Sequence, residues 1–144
     1  MEQLYLPVKD IHSYLRWIIL ALIVVVVIKY VMSWLSKNKF TSLDSRLSLF
    51  LVTALDIQFL LGLCLYFLLS PFTKSGMAFS STAMSDPQTR FYAVEHPVTM
   101  LLAIVFVHVG RSMMKKASTD ESKFKKGSLW FGLSLLFMLS RMPW

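Results

Sequence analysis

Cysteine and charged residues are both scarce in this sequence of 144 residues. Cys64 is the single cysteine, so no intramolecular disulfide can form and a disulfide-stapled scaffold is excluded. Charged residues make up 16% of the chain and hydrophobic residues 56%, whereas a typical globular domain has about 25% charged residues. This composition excludes a disordered protein and indicates one small integral membrane domain over residues 1–144.

Several motifs of enzyme chemistry are also absent from the sequence. It contains no pair of cysteines spaced for zinc, no HExxH motif and no glycine-rich phosphate loop. No Ser-His-Asp arrangement falls in a segment that water would reach. Hydrolase, kinase and zinc-enzyme functions therefore have little support, and whether the protein is an enzyme stays open.

The sequence is instead dominated by four apolar stretches. They lie at about residues 11–34, 47–69, 94–113 and 127–142. A helix needs about 20 residues to cross the hydrocarbon core, and the first three stretches reach this length. The fourth is shorter and relies on snorkelling by Lys126 and Arg141. The pattern predicts an all-α integral membrane protein, a four-helix up-down-up-down bundle.

Lysine and arginine residues are distributed unevenly between the connections of this bundle. Residues 35–46 and 111–126 together carry nine of them, whereas the opposite side carries four. Because cytoplasmic loops carry the excess of basic residues, both connections are predicted in the cytoplasm and both termini outside. The net charge of +7 is then mostly a topology signal, and no nucleic-acid partner is expected.

Local signals predict the helix boundaries. Asp10 is expected to cap the first helix. The second is expected to start at Ser42 to Asp44 and to end at Pro71. Pro97 suits the first turn of the third helix, where its missing N–H costs nothing, and Gly127 is expected to open the fourth. Residues 70–93 form the longest connection, which is either a functional or partner-bound loop or a floppy interfacial segment.

Two histidines are predicted at the same depth near the outer face. His12 lies in the first turn of the predicted first helix, and His96 in the first turn of the third. These helices are diagonal in such a bundle, with about 11–14 Å between their axes. That gap suits one flat cofactor between two imidazoles, as in bis-histidine haem b sites. The alternative is two interfacial histidines that cap helix ends.

Arginines on the outer side favour an anionic group at this level. Arg16 follows His12 by one helical turn and shares its face, and Arg90 also lies on the outer side. Both suit haem propionates or another anionic head group. The predicted cofactor-binding residues are therefore His12, His96, Arg16 and Arg90, with the two histidines as metal ligands. One alternative is that the arginines snorkel to lipid phosphates. Another is that Glu95, beside His96, pairs with Arg16 or Arg90.

A carboxylate lies deep in the second apolar stretch. Asp56 is expected to face the bundle interior, where it needs a partner or stays protonated. His108 is the expected partner, and Gln58 is expected to contact another helix or a bound molecule. This buried polar group is either part of a proton relay or quinone site, or polar glue between helices. The charge state of Asp56 stays open.

Five segments carry a resemblance that spans the whole chain. They are residues 12–16, 58–63 with 66–67, 90–96, 110–112 and 143–144. Through them the chain resembles a family of small four-helix membrane proteins of Bacteroidota that are often labelled cytochrome b-like. The most specific segment ends in Glu95 and His96. The resemblance implies haem binding and a bacterial inner membrane, and it implies a histidine near the position that Asp56 occupies here.

Three functions are compatible with these patterns. The first is haem b binding and electron transfer through His12 and His96. The second is an accessory or structural subunit of a larger inner-membrane complex, with other subunits or a second copy of the chain as partners. The third is a quinone- or lipid-binding module that uses Gln58, Asp56 and the outer arginines.

Overall fold

The computed structural model describes residues 2–76 and 80–144, and these residues are mostly helical, with no strand among them. Three helical segments of the described chain are long and apolar enough to cross a membrane. They are Gln3–Leu35, Ser42–Leu69 and Pro87–Lys116. The predicted all-α class is thus confirmed, and three of the predicted helices have the length and composition that a membrane span needs.

The first helix, α1, spans Glu2–Leu35 and begins well before the apolar stretch. The predicted start at Asp10 is wrong, because residues 2–10 continue the same helix. Pro7 lies inside α1, but so close to its beginning that it removes only one hydrogen bond near the frayed end. Asp10 instead lies on the helix surface, where its Oδ1 is 3.5 Å from the Lys9 Nζ.

The second helix, α2, spans Ser42–Cys64 and continues as a π-helical segment over Leu65–Leu69. Thr41 precedes its first turn and forms a capping box with Asp44, whose carboxylate accepts from the Thr41 backbone N–H and hydroxyl, both at 2.9 Å. This box satisfies N–H groups that the helix itself leaves free. The apolar run begins five residues after the helix does, but the start expected at Ser42 to Asp44 and the end expected just before Pro71 are both confirmed.

The connection predicted as a long loop over residues 70–93 is largely helical where it is described. It contains α3 (Pro71–Gly76), α4 (Ser81–Ser85) and α5 (Pro87–Arg90), and residues 77–79 of the prediction lie outside the described residues. Asp86 starts α5 by accepting from the Thr89 backbone N–H at 2.8 Å. Local caps, rather than apolar periodicity, therefore order this segment.

The third long helix is entered through a π-helical segment over Phe91–Glu95, after which α6 spans His96–Lys116. The predicted start near residue 94 is wrong, because the helical path already begins at Pro87. The His96 N–H bonds to the Phe91 carbonyl, five residues back. Pro97 has no N–H to continue the ladder, so the helix widens where the proline interrupts it.

The last helix, α7, spans Asp120–Ser140 and also begins earlier than predicted. Thr119 caps it by accepting from the Ser122 N–H at 3.1 Å, two turns before Gly127. Its 21 residues cover about 30 Å. It is not among the three segments that are apolar enough to span, since its first two turns carry Asp120, Glu121 and three lysines.

The four long helices pack in a ring of interfaces. Helix α1 packs against α2 and α7, and α6 also packs against α2 and α7. The buried face of α1 consists of Ile19, Ile23, Val26 and Tyr30, whose spacing places them on one side of a helix. Gly110 lets α6 approach α7, because a Cβ at this position would lie 2.5 Å from the Trp130 Cβ.

The bundle has two ends that differ in the packing and hydrogen bonding of their residues. The loop end comprises residues 29–48 and 111–131, which carry the α1–α2 and α6–α7 connections. The terminal end comprises residues 2–19, 55–73, 88–104 and 138–144. Between them the outer surface is apolar and exposed, as at Val25 (58% exposed) and Leu136 (64% exposed). Such a surface is typical of a protein surrounded by lipid.

Candidate functional site

A cavity of about 690 Å³ lies in the terminal end. Its walls come from α1, α2, the two π-helical segments, α6 and the C-terminal residues Met142, Pro143 and Trp144. Its volume is in the range of about 300–1,000 Å³ that is common for ligand pockets. Most of the wall is apolar, and a few polar side chains converge on it, namely Lys9, His12, Arg16, Gln58, Tyr66 and His96. This composition is typical of a small-molecule or cofactor site.

His12 and His96 meet in this cavity. Their ring centroids are 6.4 Å apart and their planes are inclined by 80°. His12 does not lie in the first turn of its helix, contrary to the prediction, because α1 begins at Glu2. His96 is the first residue of α6, although a π-helical segment precedes it. Helical residues precede both histidines in the chain. The two imidazoles therefore face each other inside the bundle rather than at the helix ends.

The His96 ring is held in a defined orientation. Its Nδ1 lies 2.8 Å from the Arg141 carbonyl oxygen, and the Phe91 ring stacks on it at 5.8 Å and 29°. With the proton on Nδ1, His96 donates to that carbonyl and keeps Nε2 unprotonated. A carbonyl partner of this kind orients histidines that ligate metals.

Three buried polar atoms near the cavity have no partner among the described residues. They are His12 Nδ1, Arg16 Nε and Gln58 Oε1. Other atoms of the last two side chains are bound: Gln58 Nε2 donates to the His12 carbonyl at 2.8 Å, and Arg16 donates to the Pro143 carbonyl at 2.6 Å. Because buried polar atoms nearly always have partners, these atoms are available to water or to a bound molecule in the cavity.

Gly62 brings the His12 ring close to α2. A Cβ at this position would lie 3.2 Å from His12 Cε1, so a larger side chain would push the imidazole toward the cavity. The sequence indicates Gly62 as a site of close approach, but only the structure identifies His12 as the group that approaches.

Arg90 does not line the cavity. Its Nε donates to Glu95 Oε1 at 2.9 Å, and Arg141 Nε lies 3.3 Å from the second oxygen of that carboxylate. The predicted role of Arg90 beside a cofactor thus has no geometric basis, because its guanidinium is bound in an exposed ion cluster with Glu95 and Arg141. Lys9 lies on the cavity wall instead. It precedes His12 by three residues, a helical spacing that is visible in the sequence once α1 starts before Asp10.

Asp56 and His108 are hydrogen-bonded across α2 and α6, with 2.8 Å between Oδ1 and Nε2. Their side chains are 42% and 53% exposed, so the expectation that Asp56 faces the interior is wrong. Rotation of the two helices turns the pair outward. Gln58 does not belong to this group, because it points to α1 and the cavity. His108 also borders a shallow cleft with Arg111, Ser112, Lys115 and Lys116.

The loop end holds a second polar group, which the sequence analysis missed. Lys29 donates to the buried Asp44 carboxylate, and the Tyr30 hydroxyl donates to the Asp44 carbonyl at 2.6 Å. Arg111 from α6 donates to the Ser45 carbonyl at 3.1 Å and to the Ser48 hydroxyl. These bonds join α1, α2 and α6. A lysine inside an apolar run was the signal that could have indicated the ion pair.

The donor set of the described chain limits the cofactors that it can hold. No group of three or more histidine, cysteine, aspartate or glutamate side chains within it could bind a metal ion. Haem iron differs in needing only axial ligands from the protein, and a histidine pair supplies two. A comparison of the chain with protein-family models, curated proteins and solved structures finds no match. A function is therefore inferred from the geometry of the cavity.

Proposed function

We propose that the protein binds haem b in the cavity of the terminal end, with His12 and His96 as axial ligands, and that it transfers electrons. The spacing of the two imidazoles carries the proposal. Metal–imidazole bonds are about 2 Å long, so two of them plus the nitrogen-to-centre distances of both rings give about 6 Å. The observed separation of the ring centroids is 6.4 Å.

The other cavity residues support this assignment by their chemistry. The Arg141 carbonyl fixes the His96 tautomer in which Nε2 is free to ligate. Arg16 and Lys9 supply positive charge for propionate groups. The apolar wall limits water access and tunes the reduction potential, while the bound haem supplies one-electron chemistry.

An absorption spectrum tests the proposal directly. Protein purified from haem-replete cells is expected to show a Soret band, and a sharpened α band after reduction with dithionite. His12→Ala and His96→Ala should each abolish this spectrum while the protein still inserts. His108→Ala is the matched control, since His108 lies on the outer surface, and it should keep the spectrum. Loss in the His108 variant alone would overturn the ligand assignment.

We also propose that all four long helices cross a bacterial inner membrane alternately, with both termini outside. The excess of basic residues in 35–46 and 111–126 supports this orientation, and the length of α7 suffices to span. In a Cys64→Ser background, a cysteine replacing Lys116 should resist an impermeant thiol reagent in spheroplasts. A cysteine replacing Ser80 should react. The reverse labelling would overturn the orientation.

Quinone binding is a second candidate for the same cavity. The unpartnered Arg16 Nε can donate to a quinone carbonyl, and Gln58 Oε1 can accept from a quinol hydroxyl. Solvent extraction of purified protein, followed by mass spectrometry, would then recover stoichiometric quinone that Gln58→Leu loses. Absence of both haem and quinone, with other subunits co-purifying, would favour an accessory subunit instead.

A further inference from the structure

The Asp56–His108 pair occupies an unusual position for ionisable groups. Asp56 lies fourteen residues into α2, about 21 Å from its beginning, close to the middle of the Ser42–Leu69 segment. Both side chains are about half exposed on the outer surface. Ionisable groups at such depth are costly in lipid and almost always face protein or water. The pair therefore requires a cover that the single chain does not provide.

The surface around the pair is largely apolar but not uniformly so. At helical spacings from Asp56 and His108, Leu49 and Leu60 on α2 and Leu101 and Val105 on α6 are exposed and apolar. His108 also borders the shallow cleft that Arg111, Ser112, Lys115 and Lys116 line. An ionisable pair beside large apolar side chains is typical of a protein contact within the membrane, where polar groups bond across helices.

The free atoms of the pair indicate which partner fits. Among the described residues, Asp56 Oδ2 and His108 Nδ1 have no hydrogen-bond partner, because the bond between the two residues uses the other two atoms. When the pair is net neutral it holds two protons, one in the shared bond and one on a free atom, so one free atom donates and the other accepts. A two-fold axis brings such a surface against itself with acceptor facing donor, as isologous interfaces require.

We propose that this face of α2 and α6 binds a second copy of the chain, with Asp56 of each copy beside His108 of the other. The arrangement covers both carboxylates and gives each free atom of the pair a partner. It does not depend on the occupant of the cavity, because neither Asp56 nor His108 lines the cavity.

Cross-linking in lipid vesicles tests the face. Two tagged versions of the Cys64→Ser protein, one with Leu60→Cys and one with Val105→Cys, should form a covalent heterodimer with a short bis-maleimide, which adds to one thiol at each end. Ile18→Cys paired with Val105→Cys is the matched control, because Ile18 and Leu60 are both 64% exposed but lie on different helices. Equal cross-linking in both pairs would overturn the proposed face.

Removal of the pair tests the chemistry. The variant with Asp56→Leu and His108→Leu makes the surface uniformly apolar and should stay helical by circular dichroism. Its dimer dissociation constant in vesicles, measured by energy transfer over a range of dilutions, should rise about tenfold or more. A wild-type chain that is monomeric at every dilution would overturn the proposal. An unchanged dissociation constant in the double variant would overturn it as well.

Discussion

At the loop end nearly every buried polar group has a partner, whereas at the terminal end three polar atoms around one cavity have none. Asp44 accepts from Lys29 and Thr41, and Arg111 bonds to α2. Within the described loop end, Ser128 Oγ is the one buried side-chain atom without a partner. His12, Arg16 and Gln58 are only partly satisfied at the other end. The two ends contain similar residue types, but they differ in how many of the buried polar atoms have a hydrogen-bond partner.

Aromatic packing follows the same division. Tyr30 contacts Phe40, Phe124 and Phe131 at centroid distances of 5.4–6.3 Å, and these rings fill the loop end. The rings of the terminal end line a cavity instead. A filled, satisfied end holds the helices together, and a hollow end with free polar atoms is suited to a ligand. The following substitutions test this division.

Asp44→Asn should have the largest effect. Lys29, whose side chain is 35% exposed, loses its counter-charge, and we expect a loss of about 3 kcal/mol in the free energy of unfolding. The measurement is unfolding in mixed detergent micelles followed by circular dichroism. Asp10→Asn is the control, because the Lys9–Asp10 pair is exposed and its loss should cost less than about 0.5 kcal/mol. Equal losses would contradict the comparison.

Gly127→Ala should overpack the loop end. The new Cβ would lie 2.7 Å and 2.8 Å from two Tyr30 ring carbons, and we expect a loss of about 2 kcal/mol in the same assay. Gly132→Ala serves as control on the same helix, since nothing lies within 4 Å of its Cβ. It should be neutral or gain up to about 1 kcal/mol from helix propensity. A tolerated Gly127→Ala would show that this end is loosely packed.

Tyr30→Phe isolates one hydrogen bond of the loop end. Removal of the hydroxyl leaves the Asp44 carbonyl without this donor, and we expect a loss of about 1 kcal/mol. Tyr66→Phe removes the corresponding bond at the terminal end, where the Tyr66 hydroxyl donates to the Ala93 carbonyl at 2.9 Å. Because Tyr66 lines the cavity, its loss should be about half as large. A reversed order of the two losses would argue against a more tightly packed loop end.

Gly62→Ala should have the smallest effect on stability. The new methyl group displaces the His12 ring, but the adjoining cavity gives the ring room, so the free energy of unfolding should change by less than about 0.5 kcal/mol. Under the haem proposal, the same variant should lose haem content, read from the Soret absorbance per protein. A stability loss equal to that of Gly127→Ala would mean that the terminal end is not hollow.

Much of the architecture could be predicted from the sequence, but the helix boundaries could not be read from hydropathy. Apolar runs indicate where lipid or core surrounds a helix, and polar turns can continue the same helix beyond them. The boundaries lie at caps such as Thr41, Asp86 and Thr119. These residues are visible in the sequence. The signal at Ser42 to Asp44 did place the start of α2, and the same attention to Thr119 would have placed α7.

The candidate site was predictable only as a set of residues at similar depth. Depth places His12 near His96 and Asp56 near His108, because rise per residue is constant along a helix. The exposure of the second pair and the diversion of Arg90 to Glu95 depend on how each helix is rotated. Rotation is set by packing against neighbours, which no single segment encodes.

The sequence by itself determined that this protein is helical and that three of its helices can cross a membrane. These properties follow from the free energy of transferring each side chain from water into an apolar phase. This free energy can be summed from the sequence over the residues of each segment. The tertiary structure alone decided which polar side chains meet, which end is filled and which is hollow. Those outcomes depend on helix register and rotation, and hence on contacts between residues far apart in the chain.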